Sequence, residues 1–134
     1  MKFIEIAPKK NRGGGNTQTN DIQIRKAFLE NKHIGYYFCM SKTAYENKVG
    51  YKNNERVYLK ALKAEEFPSR LYLSFSEGKE NGRRLYAPDA KKNPSQRRRC
   101  TFKGYDLAEF EGEYSLTWDA NERMFYIDKN KKEA

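Results

Sequence analysis

A four-residue phrase recurs along this chain: Arg56-Val57-Tyr58-Leu59, Arg70-Leu71-Tyr72-Leu73 and Arg84-Leu85-Tyr86-Ala87. The copies begin fourteen residues apart, and one more step of fourteen lands inside the run Arg97-Arg98-Arg99. Each copy alternates polar with apolar, the period of a strand with one buried and one wet face. The aliphatic residues are expected to meet a core, and the Arg and Tyr residues to share the opposite face. Strands laid side by side would then carry a surface of guanidinium groups and phenol rings. Such a surface suits nucleic acid, because arginine neutralises phosphate and an aromatic ring stacks on any base. The same residues also serve the wet face of an ordinary antiparallel sheet.

Charge sharpens the reading. The chain of 134 residues carries a formal charge of +9, and it is unevenly placed. Between Arg83 and Lys103 stand Arg83, Arg84, Lys91, Lys92, Arg97, Arg98, Arg99 and Lys103, opposed only by Asp89. A concentration of this kind projects a positive field that attracts a polyanion, unless it is simply a solvated loop. In the run Arg97 to Lys103, alternation places Arg98, Cys100 and Phe102 on one face. Arg97, Arg99, Thr101 and Lys103 fall on the other, and the second set continues the basic surface.

The rest of the chain reads as short elements. Met1 to Pro8 lacks the long apolar stretch of a secretory signal and reads as a first strand, so a cytoplasmic location is expected. No apolar run approaches the roughly 20 residues that span a bilayer, so no membrane partner is expected. Residues 9–20, rich in Gly and Asn, read as a flexible loop. From Asp21 to Lys32 the spacing of Ile24, Ala27 and Phe28 predicts a short amphipathic helix, although Ile22 and Ile24 also permit a strand. Ile34 to Met40 reads as a strand, and Ser41 as the cap of a short helix ending near Gly50. Strands follow at Arg56–Leu62, Arg70–Ser76, Arg83–Ala87 and Arg97–Lys103, then a helical turn anchored by Leu107 and Phe110. A last hairpin joins Glu113–Trp118 to Arg123–Ile127 through Asp119 to Glu122, and residues 129–134 read as a frayed tail.

Catalytic chemistry is hard to assemble. His33 is the only histidine, and two distant cysteines with one histidine do not make a zinc set. Cys39 and Cys100 read as buried free thiols in preference to a disulfide. Asp106, Glu109, Glu111 and Glu113 could hold a divalent ion, but such runs also form solvated faces or ion-pair partners. No cofactor, metal or enzymatic activity is therefore expected.

Residues 38–59 read strand, Ser-capped short helix, glycine loop at Gly50-Tyr51-Lys52, strand. This segment resembles one half of the AbrB-type swapped-hairpin DNA-binding domains, and the resemblance implies DNA binding. It stops where that family has a compact second half, because a tyrosine-rich meander follows here.

Together these features predict a single domain over residues 1–134 of the α+β class. It would be a curved, mainly antiparallel sheet of about six or seven strands with one or two short helices. The expected core draws on Val57, Leu59, Leu71, Leu73, Phe75, Leu85, Phe102, Leu116, Trp118, Phe125 and Ile127. The expected function is non-enzymatic nucleic-acid binding, with single-stranded DNA or RNA favoured over duplex. Its expected contacts are Arg56, Tyr58, Lys60, Arg70, Tyr72, Arg84, Tyr86, Lys91, Lys92, Arg97, Arg98, Arg99 and Lys103. The alternative is a small phage or mobile-element protein that uses the same Arg and Tyr residues against an acidic protein partner.

Overall fold

The computed structural model describes residues 20–51, 56–77, 82–88, 92–93 and 96–133. The expected first strand, the Gly/Asn-rich loop up to residue 19 and Lys91 lie outside them. Among the described residues nine strands form two antiparallel sheets, with only short helical turns between them. The architecture is therefore β-rich, and the expected α+β class gives way to it.

The first sheet has the order β6-β2-β1-β7 and comprises β1 (Ile22–Leu29), β2 (Lys32–Met40), β6 (Arg98–Lys103) and β7 (Gly112–Tyr114). The second has the order β5-β3-β4-β9-β8. Its members are β3 (Tyr58–Ala64), β4 (Phe67–Ser76), β5 (Arg83–Arg84), β8 (Thr117–Asp119) and β9 (Met124–Asp128). The helix expected over 21–32 is instead β1, paired with β2 from Ile22–Met40 to Leu29–Lys32. The competing signal decided this segment: Ile22 and Ile24 alternate with polar neighbours and bury fully against the core. A helix would have faced them apart.

Between Met40 and Gly50 the expectation holds. The Ser41 hydroxyl accepts a hydrogen bond from the Ala44 amide at 3.1 Å and starts the short helix α1 (Lys42–Ala44). A wider turn continues it over Tyr45–Val49, and Gly50 closes it at a left-handed φ of 92°. The two strands flanking this turn enter different sheets, β2 the first and β3 the second.

The sheets are stacked around one core. Ile22, Ile24, Phe38, Met40 and Phe102 come from the first sheet; Leu59, Leu71, Leu73 and Ile127 come from the second. Leu107 and Phe110 anchor a single 3-10 turn over Ala108–Phe110, as the sequence suggests. The strand expected from Glu113 to Trp118 divides: β7 joins β1, and after Leu116 the chain crosses so that β8 joins β9. Trp118 consequently lies on the edge strand and is 53% exposed, outside the core expected to hold it. Phe75 and Phe125 pack at the core margin.

At one side the sheets are sewn together. Tyr86 and Arg99 form an antiparallel bridge, with the Tyr86 amide donating to the Arg99 carbonyl at 2.7 Å and the Arg99 amide returning the bond at 3.0 Å. At the far end Lys129–Lys131 forms a 3-10 turn, and the Glu133 amide donates to the Glu113 carbonyl at 2.7 Å.

Gly35 is the tightest point of the first sheet. A Cβ there would lie 2.3 Å from the Phe102 carbonyl oxygen and 3.0 Å from the Gly104 nitrogen, and its φ is 153°. Both obstacles are backbone, so no rotamer change relieves them. Gly35→Ala is expected to cost about 2–4 kcal/mol of stability from combined overpacking and backbone strain. Urea unfolding monitored by circular dichroism measures it, and a loss below about 0.5 kcal/mol would show that β2 and β6 separate easily.

Candidate nucleic-acid interface

The register determines which polar residues share a face. In the second sheet Tyr58 lies opposite Ser76 and Arg84, Lys60 opposite Ser74, Leu62 opposite Tyr72, and Arg70 opposite Asp128. These residues alternate with Leu59, Leu71, Leu73 and Ile127, which are buried, so they occupy the outward face. In the first sheet Tyr37 lies opposite Thr101 and Arg25, and Arg99 opposite Cys39, again on the outward side.

The seam joins these two outward faces. Arg84 pairs with Tyr58, and its guanidinium lies 5.2 Å from the Tyr86 ring two residues along. Tyr86 pairs with Arg99, whose guanidinium lies 4.0 Å from the Tyr37 ring. The result is an alternating ribbon, Tyr58, Arg84, Tyr86, Arg99, Tyr37, running across both sheets. Tyr86 is 51% exposed, Arg84 and Arg99 are exposed, and Tyr58 and Tyr37 are half-buried. Cation–π contact holds each guanidinium over a ring and leaves N–H groups to donate to phosphate.

The other expected contacts differ in exposure. Arg56, Lys92 and Lys103 are exposed, and Lys60 and Arg97 half-buried. Arg25 extends the ribbon past Tyr37, where its guanidinium pairs with Glu113 at 2.6 Å. Glu109 pairs with Lys129 at 2.9 Å, so two members of the acidic run serve as ion-pair partners. Among the described residues no group of three or more His, Cys, Asp or Glu is placed to hold a metal ion. No helix among them is long and apolar enough to cross a membrane.

Two of the expected contacts are enclosed. Tyr72 is 3% exposed. Its hydroxyl donates to Asp119 Oδ2 at 2.8 Å and accepts from Arg70 Nη1 at 2.9 Å, and its ring meets that of Tyr126 at 5.4 Å. It shares the outward phase with Tyr58, but β8 and β9 flank it and no ring face remains for a base. Arg98 is 1% exposed. It sits on the inward face opposite Met40, its guanidinium 4.7 Å from the Tyr45 ring and Nη1 donating to the Gln96 carbonyl. Burial lowers its pKa, opposed by Tyr45 and Glu46. Arg98 thus clamps the short helical turn to β6, which explains a basic residue in an apolar phase.

Cys39 and Cys100 are buried free thiols. Phe38 faces Cys100 across the ladder while Cys39 faces Arg99, so the two thiols project to opposite sides of the sheet. That alternation alone forbids a disulfide. Burial raises both pKa values; for Cys39 it is opposed by Arg97, Arg99 and Arg25.

Sequence reasoning missed Tyr37, because Tyr36 and Tyr37 stand side by side and either could have been the inward ring. Tyr36 is the buried one.

No protein-family model matches the chain, and neither a curated protein nor a solved structure matches it.

Two outcomes follow from these placements. Arg98→Ala should lower stability by about 2 kcal/mol, since it removes the bond to the Gln96 carbonyl, the contact with the Tyr45 ring and a buried packed stem. Arg99→Ala, on the exposed side, should leave stability within about 0.5 kcal/mol. Equal effects in denaturant melts would contradict the inward and outward assignment. Asp119 gives a pH signature. The Tyr72 hydroxyl first, then the Glu122 and Asn121 amides, hold its carboxylate below the usual range. Its stabilising contribution is therefore complete above the ordinary carboxylate pKa of about 4 and fades as pH falls through the lower folded value. The stability gap between the native chain and Asp119→Asn should close on acidification. A gap that stays constant from neutral to acid pH would exclude this role.

Proposed function

We propose that this protein binds nucleic acid without catalysis, through the Tyr58–Arg84–Tyr86–Arg99–Tyr37 ribbon. The observation that carries the reading is the alternation itself. Two separate sheets are joined at a point that puts arginines and tyrosines in one continuous outward line. Charge density supports it, since the basic segment from Arg83 to Lys103 supplies β5, the seam and β6. Arginine edges take phosphates and position the chain; ring faces take bases without regard to sequence. Single strands are favoured over duplex because Tyr86 presents an exposed ring, and only an unpaired base can lie against it. Lys60, Arg56 and Lys103 extend the positive field on either side. Localisation in the cytoplasm belongs to the same proposal.

An acidic protein partner would use the charge and leave the rings energetically minor, which makes the two readings separable. Tyr86→Ala should cost about 1–3 kcal/mol of affinity for a single-stranded oligonucleotide, and Tyr86→Phe should retain most of it. Arg99→Ala should shallow the log–log salt slope by roughly 0.7 for a single strand, as one phosphate contact is lost. Fluorescence anisotropy at two salt concentrations measures both. Unchanged affinity in Tyr86→Ala together with an unchanged slope in Arg99→Ala would reject the ribbon and favour the protein-partner alternative.

A further inference from the structure

The outward face of the second sheet holds a feature that stacking and charge do not need. Beyond Leu62, where β4, β9 and β8 meet, lies a cleft of about 650 Å³. That is within the range of small-ligand sites, roughly 300–1,000 Å³. Its floor is the enclosed chain Arg70–Tyr72–Asp119. Phe67 and Trp118 form exposed rims, 46% and 53% accessible.

Arg70 is held in an unusual way. Its guanidinium is sandwiched between the Phe67 ring at 4.1 Å and the Tyr126 ring at 4.2 Å. Nη1 is engaged by the Tyr72 hydroxyl at 2.9 Å and lies 3.9 Å from Asp119. Among the described residues the other N–H groups of this guanidinium have no partner. Two rings lie within about 4 Å of the guanidinium and one corner is tied, so the N–H groups of the planar fork that remain are left to a ligand.

We propose that this cleft receives a single unpaired guanine, giving the ribbon a base-specific terminus; the inference rests on the nucleic-acid reading above. A donor edge of this kind matches two adjacent acceptors, and guanine O6 and N7 form that pair on a base. A free phosphate or carboxylate would match the fork as well, but besides Arg70 the cleft is lined by Glu66, Asp119 and Glu122 against Lys63 alone, an acidic excess that disfavours an anion. A neutral base escapes that repulsion, and its π-faces suit Phe67 and Trp118. The position is suitable too. Tyr58 on β3 lies one strand from β4 on the same face, with Lys60, Leu62 and Ser74 between. Tyr58 is level with Ser76, six residues from Arg70 along β4, so at about 3.3 Å per residue and about 4.8 Å per strand the separation is on the order of 20 Å, a few nucleotides of extended chain.

Trp118 is the only tryptophan of the chain and lines the cleft, so its fluorescence reports occupancy. The full chain is titrated with GMP, AMP, CMP and UMP, then with a dodecamer of dT and one carrying a single central dG. GMP is expected to give a saturable change at concentrations at least tenfold below the other nucleotides, and the dG oligomer to bind roughly tenfold tighter than dT alone. Arg70→Lys keeps the charge but loses the fork and should erase the preference while leaving dT binding intact. Phe67→Ala, on the exposed rim and outside the Tyr72–Asp119 bonds, should weaken GMP several-fold even if Arg70→Lys proves unstable. Equal affinity for the four nucleotides, or a guanine preference that survives both variants, overturns the proposal. Oligonucleotide binding without guanine preference removes the pocket and keeps the ribbon. Saturable GMP binding with no affinity for either dodecamer removes the ribbon, and with it the pocket's role as the end of a strand site.

Discussion

Two backbone hydrogen bonds, exchanged between Tyr86 and Arg99, determine what the outer surface of this molecule is. Without them the two sheets would be separate layers over a shared core, each with its own scatter of basic residues. With them, β5 and β6 become neighbours and the outward rows of both sheets merge into one line. The bridge is also where sequence economy is greatest. Leu85 between Arg84 and Tyr86 is buried, and its amide donates to the Val57 carbonyl at 2.8 Å, so the same short segment fixes the core, the seam and the ribbon.

A second dependence runs through buried polar groups. Arg98 and Tyr72 each carry polar atoms into enclosed settings, and each is satisfied by partners far along the chain or across a turn. Unpaired, such groups would cost more than the packing around them returns. Their pairing makes the surroundings specific. Tyr72 depends on Asp119, which is itself shaped by the β8–β9 hairpin through the Asn121 and Glu122 amides at 3.0 and 3.1 Å. The hairpin turn and the cleft floor are therefore one construction.

Strand phase was legible in the residues, because alternation is a local property. Leu59, Leu71, Leu73 and Leu85 are inward and Tyr58, Arg84 and Arg99 outward, as the phrases imply. What local pattern does not carry is which strand lies beside which. Three equally spaced phrases suggest three neighbouring strands, and β5, β3 and β4 are neighbours, but the first phrase lies between the other two and Tyr86 leaves the sheet for β6. Tyr72 was therefore assigned an exposed ring, while its burial depends on β8 and β9, some fifty residues later. The segment 21–32 failed for a related reason. Its apolar residues satisfy both periods, and only the pairing with β2 and β7 separates them. Trp118 looked like core by chemistry, and the crossover after Leu116 placed it at an edge.

The same long-range pairing governs how the molecule assembles. The β1–β2, β3–β4 and β8–β9 hairpins close over a few residues and can form as soon as each is made. The first sheet cannot be completed so early: β6 waits for a chain reversal from β2, and β7 joins β1 only after most of the sequence has passed. Loop closure of this length slows folding. During synthesis on the ribosome, Ile22, Ile24 and Phe38 can meet Leu59, Leu71 and Leu73 once β4 has emerged, but the edge partners β6 and β7 arrive only with the C-terminal third. The nascent hairpin β1–β2 therefore spends much of its translation with both edges unpaired, the interval in which chaperone capture or edge-to-edge aggregation competes with folding.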